Sequence, residues 1–172
     1  MSSDNRISIR PYGEGDLWIL ERTLGDPSQT TYLNGPESVE KIQKRHKKYV
    51  ALSADPHAGC MFTILAGSDV APAGNVGYWD SEWKGQKAWE VGWFVLPDFQ
   101  RRGIATAATR IVLESLAKLE GPKLVFAGPS VDNHASNAMC RKLGFTLTEE
   151  ANVEYPYGSG RFMHINIWML NL

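Results

Sequence analysis

Phe-Gln-Arg-Arg-Gly-Ile-Ala-Thr-Ala-Ala, residues 99–108, sets two arginines and a glycine at the start of an apolar-periodic run. Ile104, Ala107, Ala108, Ile111, Val112, Leu116 and Leu119 recur at helical spacing, and Gly121-Pro122 ends the pattern. The first turn of a helix carries unpaired N–H groups and a partial positive charge. Adding Arg101 and Arg102 there costs stability unless an anion sits in front. Gly103 lets such an anion approach the backbone without meeting a Cβ. Ile104 follows it, and Ala105 and Thr106 keep the next positions small. The stretch therefore reads as a cradle for a phosphate or pyrophosphate. The residues alone equally allow a solvated basic turn. The stretch is neither a Walker loop nor a dinucleotide fingerprint, because the required glycine patterns are missing. Gly158-Ser159-Gly160 has no helix pattern after it and reads as a turn.

Working outward, residues 88–96 are strand-like and Pro97-Asp98 ends them. Residues 123–127 form a short apolar strand after the helix. Strand, helix and strand make a crossover, which requires a parallel pair. Residues 60–66, 74–82 and 88–96 read as an antiparallel meander. Before them, residues 7–10 alternate as a strand, and Asp16 opens a helix carrying Leu17, Leu20 and Leu24. Asp26-Pro27 and Asn34-Gly35-Pro36 break it. Ser38 heads a second helix to about Leu52. Val39, Ile42, His46 and Tyr49 share one side of it; Lys41, Lys44, Arg45, Lys47 and Lys48 occupy the others. After the crossover, Asn133 or Ala135 starts a helix that runs to Leu143 and closes at Gly144. Residues 145–153 and 163–170 are the last strands. The order β-α-α-β-β-β-α-β-α-β-β predicts an α/β (α+β) fold. Its mixed, mostly antiparallel sheet has about seven strands, with helices on both faces.

A chain of 172 residues is most economically one domain, 1–172. Net charge is −1, which gives no reason to expect nucleic acid or an acidic membrane surface. Cys60 and Cys140 make neither a disulfide framework nor a zinc pattern, so no metal is expected, and a reducing, cytoplasmic setting fits. The start of the chain has no apolar signal core, and no stretch approaches a membrane span. His57, His134 and His164 read as surface or packing residues, and His46 as structural.

A second constellation, Asn133-His134-Ala135-Ser136-Asn137 running on to Lys142-Leu143-Gly144-Phe145, lies downstream. Asn133 and Ser136 stand at a helix mouth, where side-chain oxygens cap amides. By itself this is an ordinary capped helix with a glycine stop. Together the two stretches resemble the GNAT superfamily of acyl-CoA-dependent N-acyltransferases. Gln100-Arg101-Arg102-Gly103-Ile104-Ala105 is similar to its motif A, and residues 133–145 to its motif B. The Asn-x-x-Ser-Asn wording is nearest the ribosomal-protein N-terminal alanine acetyltransferase branch. The resemblance implies a GNAT-like fold and acetyl-CoA as cosubstrate. It implies coenzyme A pyrophosphate on Arg101, Arg102, Gly103, Ile104, Ala105 and Thr106. It further implies that the pantetheine arm runs beside Trp93, Phe94 and Val95 and is reached by Asn133. Arg141 and Lys142 read as surface pairing residues near the adenosine end. A homodimer is compatible with the family.

The implied reaction is direct attack of a primary amine, on a small molecule or a peptide N-terminus, on the acetyl thioester. A backbone N–H near Phe94 or Val95 is expected at the oxyanion. Glu90 is the candidate base, desolvated between Trp89 and Trp93 in sequence. Its competing reading is a structural carboxylate bonded to a neighbouring strand. Ser136 is the candidate proton relay to sulfur. Two family positions depart here: Gly128 stands where some members place a basic Glu, and Cys140 where many place an acidic Tyr. Cys140 reads as a packing residue. Trp18, Tyr32 and Tyr49 are expected to line the acceptor pocket from the N-terminal helices, with Glu154, Tyr155, Tyr157 and Arg161 from the last hairpin. Glu154 would attract a cationic acceptor. The departures leave open a module that binds acyl-CoA without turnover; a longer donor such as succinyl-CoA would call for a cationic pocket near the thioester, and the sequence shows none clearly.

Overall fold

The computed structural model describes residues 6–172. The reading that no targeting segment opens the chain falls partly on residues 1–5, outside the described residues. The elements are β1 (Ile7–Pro11), α1 (Leu17–Thr23), α2 (Val39–Leu52), β2 (Gly59–Ala66), β3 (Ala71–Trp83) and β4 (Gln86–Val95). Then come α3 (Ile104–Lys118), β5 (Leu124–Ala127), α4 (His134–Lys142), β6 (Thr146–Glu154) and β7 (Phe162–Asn171). Short 3-10 turns, Glu14–Asp16 and Pro97–Phe99, precede α1 and α3. The element order is the expected one. A single 7-stranded sheet has the order β1-β2-β3-β4-β5-β7-β6. Every pair is antiparallel except β4 with β5.

The sheet has a core on each face. Val76, Tyr78, Val91 and Trp168 pack under α3 and α4, where Val112, Leu116, Met139 and Cys140 come down on them. On the other face Met61 packs with Tyr12, Leu20, Leu24 and Ile42 beneath α1 and α2. Side chains of a strand alternate between faces, so β4 sends Val91, Trp93 and Val95 to the α3 side and Phe94 to the α2 side. In α2, Ile42 and His46 are buried as expected, but Val39 is 69% exposed. Val39 is the first residue of the helix, before the chain comes down onto the sheet. Ser38 caps α2 by accepting from the Lys41 N–H at 3.3 Å. His46 is structural: its Nδ1 meets the Tyr12 hydroxyl at 2.8 Å.

The pairing of β4 with β5 shapes the site. It covers only Trp89↔Val125 and Glu90↔Phe126. β5 ends at Ala127, and Gly128-Pro129 leads the chain out, with the Pro129 carbonyl accepting from the Asn166 N–H of β7. β4 runs on to Val95 with β3 as its one strand neighbour. A gap therefore opens inside the sheet.

Asp16 does not cap α1 with its side chain. The carboxylate, 3% exposed, instead joins β1, β2 and the turn before α1. It accepts from Arg10 Nη1 and Nη2 at 2.7 and 2.8 Å, from the Gly13 N–H at 2.9 Å and from Thr63 Oγ1 at 2.8 Å. Burial alone would raise its pKa; the bonds from Arg10, Gly13 and Thr63 hold it below the ordinary range. A carboxyl depressed in the fold stabilises above its unfolded pKa, and that stability is lost as pH falls through the folded value. Asp16→Ala is expected to cost about 3 kcal/mol at pH 7, the low end for a broken buried pair because Arg10 stays half solvated. The loss shrinks as acid protonates the native carboxyl. Urea unfolding at pH 7 and in acid checks this, and coincident curves at pH 7 overturn it.

Candidate active site

The gap between β4 and β5 faces the start of α3. Arg101 and Gly103 both have left-handed backbones, φ 60 and 73°. They swing the chain from the Pro97–Phe99 turn into α3, and Gly103 occupies the N-cap position. Ser38 caps α2 and Asn133 caps α4, but no side chain caps α3. The Ala107 N–H is the one that bonds back to the Gly103 carbonyl, at 3.0 Å. The earlier N–H groups of the helix are left facing outward. A Cβ built on Gly103 would meet nothing within 4 Å. Glycine is thus called for here by its φ alone, and the space in front of the helix is open. These features fit an anion, whose charge the helix terminus attracts.

This terminus lies in an open cleft of about 1380 Å³. A single small-molecule site occupies roughly 300–1,000 Å³, so the cleft has room for a donor and an acceptor together. Glu90, Trp93, Phe94 and Val95 line it from β4, with Arg101, Gly103, Ile104, Ala105 and Thr106 from the start of α3 and Asn133 and Ser136 from α4. Arg102 is not on this wall. Its guanidinium lies over the Phe99 ring at 5.7 Å and donates to the Asp98 carbonyl at 3.5 Å.

The main chain of β4 has a definite polarity at the gap. The Leu96 N–H bonds the Ala73 carbonyl beside β3 at 2.8 Å. In an antiparallel pair this sense alternates, so Phe94 spends its N–H on β3 while Trp93 and Val95 turn theirs to the open side. Gln100 Nε2 reaches the Val95 carbonyl from that side at 3.0 Å, in agreement. Of the two expected oxyanion donors, Val95 is the one whose N–H faces the gap.

Glu90 is half-buried at the point where the strands part. Trp89 and Trp93 do not flank its carboxylate, because odd-numbered side chains of β4 lie on the opposite face. Its aromatic neighbour is Trp79, the cross-strand partner on β3, whose indole N–H donates to Oε2 at 3.0 Å. Trp79 lies over Gly92, where a Cβ would stand 2.8 Å from the ring. Desolvation raises the Glu90 pKa, opposed by Trp79, Ser81 and the charge of Lys48.

On the other face, Asn133 Oδ1 accepts from the Ser136 N–H at 3.1 Å. Trp93 Nε1–H donates to Ser136 Oγ at 3.3 Å, which leaves the hydroxyl hydrogen free to be given elsewhere. Asn137, 8% exposed, fixes this mouth. Its Nδ2 donates to the Ser130 and Asn133 carbonyls at 2.9 and 2.8 Å. Its Oδ1 accepts from Asn166 and Trp168, each at 2.8 Å. Cys140 is fully buried, and burial lifts its thiol to about 12, which leaves it a packing residue. Trp79 was missed by motif reading, and Asn137 stood in the second motif with no role given to it. The two-residue turn at Lys84-Gly85 would have revealed Trp79: stepping back from Trp83↔Gln86 leads to Trp79↔Glu90.

The expected acceptor residues divide. Tyr32, Tyr49, Glu154, Tyr155 and Tyr157 line the cleft; Trp18 and Arg161 do not. Arg161 ties the hairpin to the Asn34 carbonyl at 2.6 Å. Glu154 accepts from the Gly160 N–H at 2.6 Å and so closes the hairpin turn. Among the described residues no cluster of three His, Cys, Asp or Glu could hold a metal, and no helix is long and apolar enough to cross a membrane.

The fork between β4 and β5 and the uncapped mouth of α3 thus share one cleft. The acetyltransferase (GNAT) domain model matches residues 6–146, and the chain belongs to this acetyltransferase family. The fold is shared with spermidine N-acetyltransferase from Vibrio cholerae, solved with CoA and spermine, at TM-score 0.75 and 16% identity over 96% of this chain and 95% of that one. It is shared with the acetyltransferase from Salmonella typhimurium that modifies the N-terminal serine of ribosomal protein L7/L12, at 0.76 and 19%, over 96% and 95%. The ribosomal-protein-S5-alanine acetyltransferase from Vibrio fischeri gives 0.74 and 17%, over 96% and 92%. No curated protein matches the sequence.

The raised pKa of Glu90 has a consequence for stability. A carboxyl that the fold makes harder to ionise costs stability as pH rises from its unfolded pKa to its folded one. Glu90→Gln keeps an oxygen for Trp79 and removes that cost. The variant is expected to melt higher than the native chain at pH 8 and level with it at pH 4. A thermal midpoint at pH 8 no higher than native overturns the assignment of a desolvated carboxylate.

Proposed function

We propose that the chain is one N-acetyltransferase domain, carrying acetyl from acetyl-CoA to a primary amine by direct attack inside the cleft. The observation that carries this reading is the uncapped start of α3 opening onto the unpaired side of β4, in the cleft that holds Glu90. The donor supplies an acetyl group already activated as a thioester. The N–H groups of Ile104, Ala105 and Thr106 bind its pyrophosphate, with Arg101 at the rim. The free edge of β4 at Trp93 and Val95 aligns its extended arm as an added strand would be aligned, and Asn133 stands across the gap. The Val95 N–H is offered to the carbonyl oxygen, where negative charge grows. Glu90 takes the proton of the incoming amine, and desolvation makes it a better base than an exposed glutamate. Ser136, held by Trp93, relays a proton towards the departing sulfur, its oxygen taking one from cleft water as its own is given. Cys60 and Cys140 are free and buried, which suits a reducing, cytoplasmic setting.

Gly103→Glu adds bulk and like charge where the anion binds, and strains the helix start by about 1–2 kcal/mol. Calorimetry is expected to find no CoA binding to this variant, while circular dichroism shows the fold retained. Unchanged affinity overturns the cradle. Glu90→Gln is expected to lower kcat/KM by about 10²–10⁴-fold with CoA affinity unchanged. The native rate is expected to rise with pH through a limb lying above the ordinary carboxylate range. Native turnover by Glu90→Gln across pH removes Glu90 as the base.

A further inference from the structure

The acceptor side of the cleft carries a feature that acetyl transfer does not itself require. Lys41, Lys44, Arg45 and Lys48 all line the cleft from α2. Their spacings of three, four and seven residues stack them on one face of the helix. Like charges so placed repel and destabilise an isolated helix. Two of them are neutralised within the chain. Lys44 pairs with Glu40 at 3.0 Å, and Arg45 with the buried carboxylate of Glu37. Among the described residues, no side chain pairs with the ammonium of Lys41 or Lys48. The two stand two turns apart on the cleft wall, and Lys48 is close enough to Glu90 to act on its ionisation.

The carboxylates around the cleft do not balance these cations. Glu37 is spent on Arg45, and Glu154 accepts from the Gly160 N–H in the hairpin turn but keeps its charge. Glu90 is held by Trp79 and faces the incoming amine. Glu82 and Glu154 remain, Glu82 exposed at the end of β3, against four cations on α2. A polycationic acceptor would bring its second charge against Lys41 and Lys48. An acceptor with an anion beside its amine would be held at both ends, amine at Glu90 and anion on α2.

We infer that Lys41 and Lys48 select a primary amine that carries a side-chain carboxylate, as on a free acidic amino acid or an acidic peptide N-terminus. The inference rests on the acetyl-transfer reading for the position of the reacting amine. Charge-assisted hydrogen bonds to such a carboxylate supply about tenfold in specificity each.

The test uses the full chain saturated with acetyl-CoA, with thiol release as readout. The acceptors are spermidine, free glutamate and glutamine, and C-terminally amidated tripeptides opening with Ala followed by two Glu, two Gln or two Lys. At low ionic strength, kcat/KM is expected to fall about tenfold from acidic to neutral peptide and again to the basic one. The glutamate and glutamine arms tell whether the carboxylate is read on a small molecule. The double variant Lys41→Glu/Lys48→Glu is expected to invert the order with CoA affinity unchanged, and Lys41→Arg/Lys48→Arg to keep it. Preference of the native chain for spermidine or the basic peptide, or an order that survives charge reversal, overturns the inference. Should no acceptor release thiol, the acetyl-transfer reading falls by itself. Calorimetric titration of the acidic peptide into the CoA-saturated chain then decides. Binding that charge reversal abolishes supports the selection, and no binding overturns it.

Discussion

An interior strand ordinarily spends its N–H and C=O groups on two neighbours. β4 spends one side on β3 along its length, and the other on β5 only as far as Glu90. Each backbone group left unpaired costs about 1–3 kcal/mol if it is also shut off from water. An open cleft avoids that cost, because water reaches the free edge. The same edge will accept any extended molecule that offers the complementary pattern. The fork is held open from the side of β7. Asn166 takes the Pro129 carbonyl, and Asn137 fastens the loop after β5 and the mouth of α4 to Asn166 and Trp168. Buried polar groups this fully satisfied specify one arrangement, since moving any partner strands the others.

Charge is distributed on the same logic. The start of α3 adds Arg101 to a helix terminus already positive, and α2 stacks cations on one face. Neither arrangement helps the isolated fold. Both face a cleft large enough for two molecules. In contrast, Asp16 and Arg10 satisfy one another away from the cleft and join β1, β2 and the turn before α1. A charge paired inside the chain stabilises it, whereas one aimed at solvent inside a concavity is available to a ligand.

Much of this was legible in the residues. The period switches at residues 88–127 gave strand, helix and strand, and hence the parallel pair. Gly103 and the small residues after it marked the helix start, and Asn133 marked its own capping role. What could not be read depended on the faces of β4 and the tilt of α2. Trp89 and Trp93 are next to Glu90 in sequence, yet the pleat sends them away and brings Trp79 instead. The α2 lysines could be assigned only to the helix's other faces, because periodicity separates faces without saying which face borders a cavity. Trp18 and Arg161 sit on the right elements and point elsewhere. Val39 has the right spacing but precedes the contact with the sheet.

The pleat of β4 also makes the strand a partition. Glu90 stands on the α2 side, while Trp93 and the Ser136 hydroxyl stand on the α3–α4 side. Under the proposed chemistry a proton leaves the acceptor on one side of this wall, and another joins the sulfur on the other. Base and acid are thus set by different neighbours, Trp79 on one face and Trp93 on the other, so either can be altered by substitution without touching the other's hydrogen bond.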